Sequence, residues 1–165
     1  MFFDDSADQT GPIMGFNGPF RFLSNFWPVL IRDDQLTFAS VEHAYQAGKF
    51  TDRNIKKLFS TENKLTAGQA KRLGRQFPIG DHHEKIKKNH MLALVGQKFF
   101  VDLDLRQQLV ETAPRHIFEL NNWGDEFWGV TQDAQGRLKG ENWLGRFLMS
   151  VRDGYTMEGG TWKCR

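Results

Sequence analysis

One cysteine in 165 residues, Cys164, leaves no partner for a disulfide and no thiolate set for a metal within this sequence. That scarcity fits a reducing compartment. No P-loop, no GxGxxG after a strand pattern and no HExxH is present, which sets aside three common cofactor and metal chemistries. No apolar run approaches the ~18 residues of a membrane span, so no membrane partner is expected. The opening MFFDDSADQTGP is acidic and lacks the basic and apolar regions of a signal peptide, and a cytoplasmic location is expected. An excess of one charge sign is missing too. Against 22 basic residues stand 20 acidic ones, and a net charge of +2 does not by itself argue for coating nucleic acid.

What is plentiful is aromatic. Fifteen Phe and five Trp, against two Tyr, supply core and also faces on which flat ligands stack. Hydrophobic residues make up 39% and charged residues 25%, a globular balance. The length suits one domain that can bury roughly 70% of its unfolded surface. Basic residues cluster between positions 49 and 98.

Punctuation along the chain predicts an α+β fold, compact and mostly helical, with a small antiparallel sheet. Residues 1–15 read as an irregular arm, 16–153 as the domain and 154–165 as a loose tail with one aromatic anchor. Phe20 to Phe38 reads as short strands, with 29–31 and 36–38 as a hairpin. Ser40 caps a helix, 53–59 forms another, and Thr66 with Gln69 has the form of a capping box opening a helix to about Arg75. Asp81 is the expected cap of the longest helix, to about Phe99, with Ile86, Met91, Leu94, Val95 and Phe99 roughly helically spaced. A helix over 105–113, a strand over 116–120 and a last helix capped by Asn142 complete the prediction.

Three stretches carry chemistry. In FASVEHAYQAGKF (38–50), Glu42, Gln46 and Lys49 share one helix face, with Glu42 in the first turn where the helix dipole favours an anion. Such a carboxylate suits a developing positive charge. The same spacing suits a solvated face with one weak ion pair, and His43 alone suits core or cap. In NNWGDEFWGV (121–130), Asp125 stands among Trp123, Trp128 and glycines, on a loop where it either serves a site or caps a turn. In FRFLSNFWP (20–28), Arg21 and Asn25 offer donors beside Phe22, a pairing suited to a phosphate and a flat ring, or to an ordinary strand and turn. Together, two carboxylates, ring faces and phosphate-type donors point toward cleavage of a glycosidic bond, which needs an anion near the sugar, an activated water and a protonated leaving group. His82, His83, Glu84 and His90 are the nearest approach to a metal set, but adjacent helix residues point to different faces, so no metal and no cofactor is expected.

SxEHxxQAxKF over 40–50 and FLSNF over 22–26, followed in order by WGDEFWG over 123–129 and GxNxLGRxLMxVR over 140–152, resemble the NADAR family, also called YbiA-like. The resemblance covers about residues 16–153. It implies a compact, mostly helical α+β domain with N-glycosidase activity. The substrate is then a phosphorylated riboside of early riboflavin synthesis, or an ADP-ribosyl group on guanine of nucleic acid. It places the family's essential glutamate on Glu42, and its late aspartate and tryptophan on Asp125 and Trp128; Asn142 and Gly145 match the places after them. Some members carry Trp at the start of the long helix where this chain has His82-His83-Glu84, so His83 is the candidate replacement as a ring contact. The expected site is therefore Glu42 and Asp125 for catalysis, with Arg21, Phe22, Asn25, Gln46, Lys49, His83, Trp128 and Asn142 for substrate. A non-catalytic ADP-ribose or nucleotide-binding module is the alternative. A protein that docks a partner through its Trp-rich loop is a third.

Overall fold

The computed structural model describes residues 11–158 and 161–164, with side chains up to Tyr155. The fold is α+β and mostly helical. Two compact units make it up. One is Arg21–Leu109; the other joins the segment ending at Phe20 to that beginning at Val110.

In the first unit, β2 (Ile31–Asp33) and β3 (Leu36–Phe38) pair antiparallel as the expected hairpin. Residues 20–23, expected as strand, instead belong to a 3-10 helix over Gly18–Leu23 that buries Phe22 and Leu23. α1 (Val41–Ala47) starts at Ser40, whose Oγ accepts the His43 N–H. Every residue of α1 is buried, which marks a helix enclosed on all sides rather than one with a wet face. β2, β3, α3 and α4 enclose it. α2 spans Arg53–Lys57, and α3 (Ala67–Leu73) opens with both bonds of the expected capping box, between Thr66 and Gln69. α4 runs Asp81–Val101 with Gly80, not Asp81, at the cap position. Met91, Leu94, Val95 and Phe99 face the core as expected, but Ile86 is 42% exposed. α4 turns His83 and Lys98 inward instead.

The second unit holds β1 (Ile13–Met14), within the expected irregular arm, paired with β4 (Ile117–Phe118). That pair is parallel, a departure from the all-antiparallel expectation. Residues 1–10 of the arm lie outside the described residues. α5 (Leu103–Glu111) belongs to the first unit up to Leu109, and its last two residues begin the stretch of chain that leads to β4. β5 (Thr131–Gln132) and β6 (Leu138–Lys139) form a hairpin over a stretch the sequence left unassigned. α6 (Trp143–Asp153) lies on β4, with Leu144 and Leu148 buried. β7 (Tyr155–Glu158) pairs antiparallel with β8 (Thr161–Cys164), so the expected loose tail is a hairpin. Among the described residues, no helix is long and apolar enough to cross a membrane.

Candidate active site

In α1 the polar side chains Glu42, His43 and Gln46 are all buried and each makes at least one hydrogen bond. Its first turn is held from outside by the Asn25 carbonyl, which accepts the Glu42 N–H at 3.0 Å. Glu42 is 6% exposed, and its Oε1 accepts a 2.8 Å bond from Gln46 Nε2, one turn on. His43 has the structural role: its ring nitrogens sit 2.8 Å from Ser40 Oγ and 2.9 Å from the Leu65 carbonyl. Donation from Nε2 to that carbonyl leaves Nδ1 to accept from the serine. Gln46 is buried, and among the described residues its Oε1 has no partner; a Cβ placed on Gly74 would lie 2.1 Å from it. α3 can approach this close because residue 74 lacks a side chain.

Lys49 follows in a half-buried position, its Nζ 5.4 Å from the centre of the Tyr45 ring. Burial pushes its amine below the ordinary lysine range, the Glu42 carboxylate opposes that, and the charges of Lys71 and Arg75 push it lower still. The Tyr45 hydroxyl lies 3.1 Å from His83 Nε2, and the two rings meet edge-on at 5.4 Å. His83 is 3% exposed, an internal ring packed on Tyr45. Burial, and next the Lys49 charge, lower it to about 4. Between pH 6.5 and about 4 the unfolded chain therefore binds a proton the folded chain does not. Stability is expected to fall across that window by on the order of 2 kcal/mol as pH drops. Urea unfolding at pH 7 and pH 4.5 checks this: His83→Gln should lose less stability on acidification than wild type.

Of the 20–28 stretch, Arg21 is exposed, while Phe22 is a buried ring edge-on to Phe99 at 6.5 Å. Asn25 is buried, its Nδ2 3.4 Å from Met91 Sδ. Sequence reasoning missed what holds this stretch. Lys98, 1% exposed, donates to the carbonyls of Phe22 at 2.5 Å and Ser24 at 2.8 Å. The available signal was a lysine four residues after Leu94 on an apolar stripe. Burial first, then the Arg21 charge, bring its amine to about 7, against the pull of Asp102. From pH 7 to 9 the unfolded chain keeps a proton the folded chain has released. Stability should rise with pH there by roughly 2 kcal/mol, a slope that Lys98→Met abolishes in urea titrations.

In the second unit, Asp125 caps a turn: its Oδ1 accepts from the amides of Phe127 at 3.1 Å and Trp128 at 2.8 Å. The Asn121 side chain clamps the same residue, accepting from the Asp125 N–H and donating to its carbonyl. The loop then serves α6. Carbonyls of Phe127, Trp128 and Gly129 accept the N–H groups of Trp143, Leu144 and Asn142, donors that a helix start leaves without intrahelical partners. Asn142 is thereby released from side-chain capping. Its Oδ1 accepts from the Glu119 N–H and its Nδ2 donates to the Ile117 carbonyl. It is a buried cross-link to β4. Trp128 is half-buried, edge-on to Phe127 at 4.9 Å, and Trp123 is 63% exposed. Among the described residues, no three His, Cys, Asp or Glu side chains gather to hold a metal.

The NADAR domain model matches residues 2–155. The chain belongs to the NADAR family. It is 36% identical, over 80% of its length, to a riboflavin biosynthesis protein of Vibrio vulnificus, of which the match spans 35%. It is 31% identical to the N-glycosidase YbiA of Escherichia coli, covering 82% of this chain and 81% of that one. The NMR structure of E. coli YbiA superposes with a TM-score of 0.69 at 30% identity, covering 86% of this chain and 83% of YbiA. The motifs at 40–50 and 123–129 are thus a NADAR protein's motifs, set here on an enclosed helix and a capped loop.

Proposed function

We propose that this NADAR protein hydrolyses the N-glycosidic bond of a phosphorylated riboside, with Glu42 as the essential carboxylate. N-glycosidic hydrolysis is the activity for which its YbiA relative is named. The observation that carries the residue assignment is the buried Glu42 carboxylate, oriented by Gln46 on a fully enclosed helix. In such a place an anion is weakly screened and fixed in advance, so it favours the positive charge that gathers on the sugar as the C–N bond breaks. Water forms the new bond at the anomeric carbon; the nitrogen base leaves with the bonding pair and takes up a proton. Asp125 is assigned as the second carboxylate, a proton-transfer partner or ligand of a ribose hydroxyl, acting through Oδ2, the oxygen not used by its turn. Trp128 is assigned to the base, Arg21 and Lys49 to phosphate or sugar oxygens. The reaction needs no cofactor and is assigned to the cytoplasm.

The riboflavin biosynthesis name of the Vibrio relative supports a phosphorylated ribosylaminopyrimidine as the substrate. Incubation of purified protein with that compound and with ADP-ribosyl-guanine DNA, read by mass spectrometry, tests the choice. Release of free ribose 5-phosphate from the first supports it. Release of ADP-ribose from the second alone moves the substrate to modified nucleic acid. One-to-one protection of ADP-ribose without turnover of either substrate replaces the enzyme with a binding module.

A further inference from the structure

Two basic residues at the end of α3 bear on Lys49, the neighbour of the Glu42 carboxylate. Gly74, just past the end of α3, lies against the Gln46 side chain that holds the Glu42 carboxylate. Lys71 comes three residues before that contact and Arg75 one after it. Lys71 Nζ stands 5.8 Å from the centre of the Phe26 ring, and Phe26 follows Asn25, whose carbonyl takes the Glu42 N–H. Lys49 lies three residues beyond Gln46, with its Nζ over Tyr45. The electrostatics agree with this geometry, since the Lys49 amine is attracted by Glu42 and repelled by Lys71 and Arg75.

Three cations, Lys49, Lys71 and Arg75, therefore act on one another, and the carboxylate that draws Lys49 already bonds an amide. Basic residues at the end of α3 complement its dipole, but that does not account for Lys49, which lies in the turn just past α1 and is repelled by both. A doubly charged anion among the three would remove the repulsion. Arginine offers a planar fork and lysine a point charge, the two donor types that phosphoryl oxygens take.

We infer that Lys71 and Arg75 join Lys49 in a phosphoryl-binding subsite beside Glu42. The inference rests on the proposed hydrolysis in taking that phosphoryl group to be the substrate's. Two sources share the chemistry: the phosphate of a simple riboside and the pyrophosphate of an ADP-ribosyl group. Calorimetric titration of wild type, Lys71→Met, Arg75→Met and the double variant with ribose 5-phosphate, ADP-ribose and ribose separates them without needing turnover. Wild type should bind at least one phosphorylated probe more tightly than ribose. Each single variant should weaken that probe by about tenfold and leave ribose unchanged. A loss confined to ribose 5-phosphate names the simple phosphate as the source; a loss confined to ADP-ribose names the pyrophosphate. Arg137→Met, at an exposed arginine paired with Asp133, should change neither. The subsite is overturned if the folded double variant binds both probes as wild type does, if Arg137→Met weakens them equally, or if folded wild type binds neither. Any of these leaves the activity of Glu42 to be judged by hydrolysis alone.

Discussion

Glu42→Gln is expected to lower the hydrolytic rate by about a thousandfold while leaving the fold intact. The substitution removes charge and changes almost nothing else. A glutamine at 42 keeps an oxygen for the 2.8 Å bond from Gln46 Nε2. The Asn25 carbonyl still holds the backbone N–H of residue 42. What disappears is the anion that faces the charge developing on the sugar. Loss of that term lowers kcat with little change in KM, because the ground-state sugar carries no such charge. Steady-state rates for both proteins, with circular dichroism to confirm folding, check it. A variant that keeps full activity would remove Glu42 from the mechanism.

Gly145→Ala should be the most damaging of the small substitutions to stability. A Cβ at position 145 would stand 2.2 Å from the Ile117 carbonyl and 2.4 Å from Asn142 Nδ2. Neither neighbour can yield cheaply. The carbonyl belongs to the β4 backbone, and the amide is held by its bonds to Ile117 and Glu119. α6 must move off β4, taking with it the N–H groups that anchor the 123–129 loop. The cost is expected at roughly 3 kcal/mol, measured as a drop in urea midpoint with an unchanged m-value. Asp125 and Trp128 ride on the same loop, so activity should fall too. An alanine variant of wild-type stability would mean that α6 does not lie on β4 as closely as described.

These two positions also show what sequence alone can and cannot reveal. α1 was legible because its start has a local cause: Ser40 caps the helix by itself. The capping box of α3 was legible for the same reason. Enclosure of α1 was not, since Glu42, Gln46 and Lys49 at helical spacing fit a wet face as well as a buried one. What decides is the packing of elements distant in sequence. The parallel pairing of β1 with β4 joins residues about a hundred positions apart, and two-residue strands leave no alternation to read. Asn142 was read as a cap because asparagine before a helix usually is one; here the loop carbonyls supply the cap and free the amide for β4. His83, a candidate ring contact by position, is enclosed against Tyr45. Gly74, at the end of α3, lies against Gln46, an approach of two separate helices that no spacing in the sequence signals.

Turnover of an N-glycosidic bond through the Glu42 carboxylate is what the proposed function requires of this chain. The most direct measurement counts moles of ribose 5-phosphate released per mole of protein from a phosphorylated ribosylaminopyrimidine, by wild type and by folded Glu42→Gln. The account predicts many equivalents from wild type and almost none from the variant over the same time. Equal release by the two proteins would contradict it.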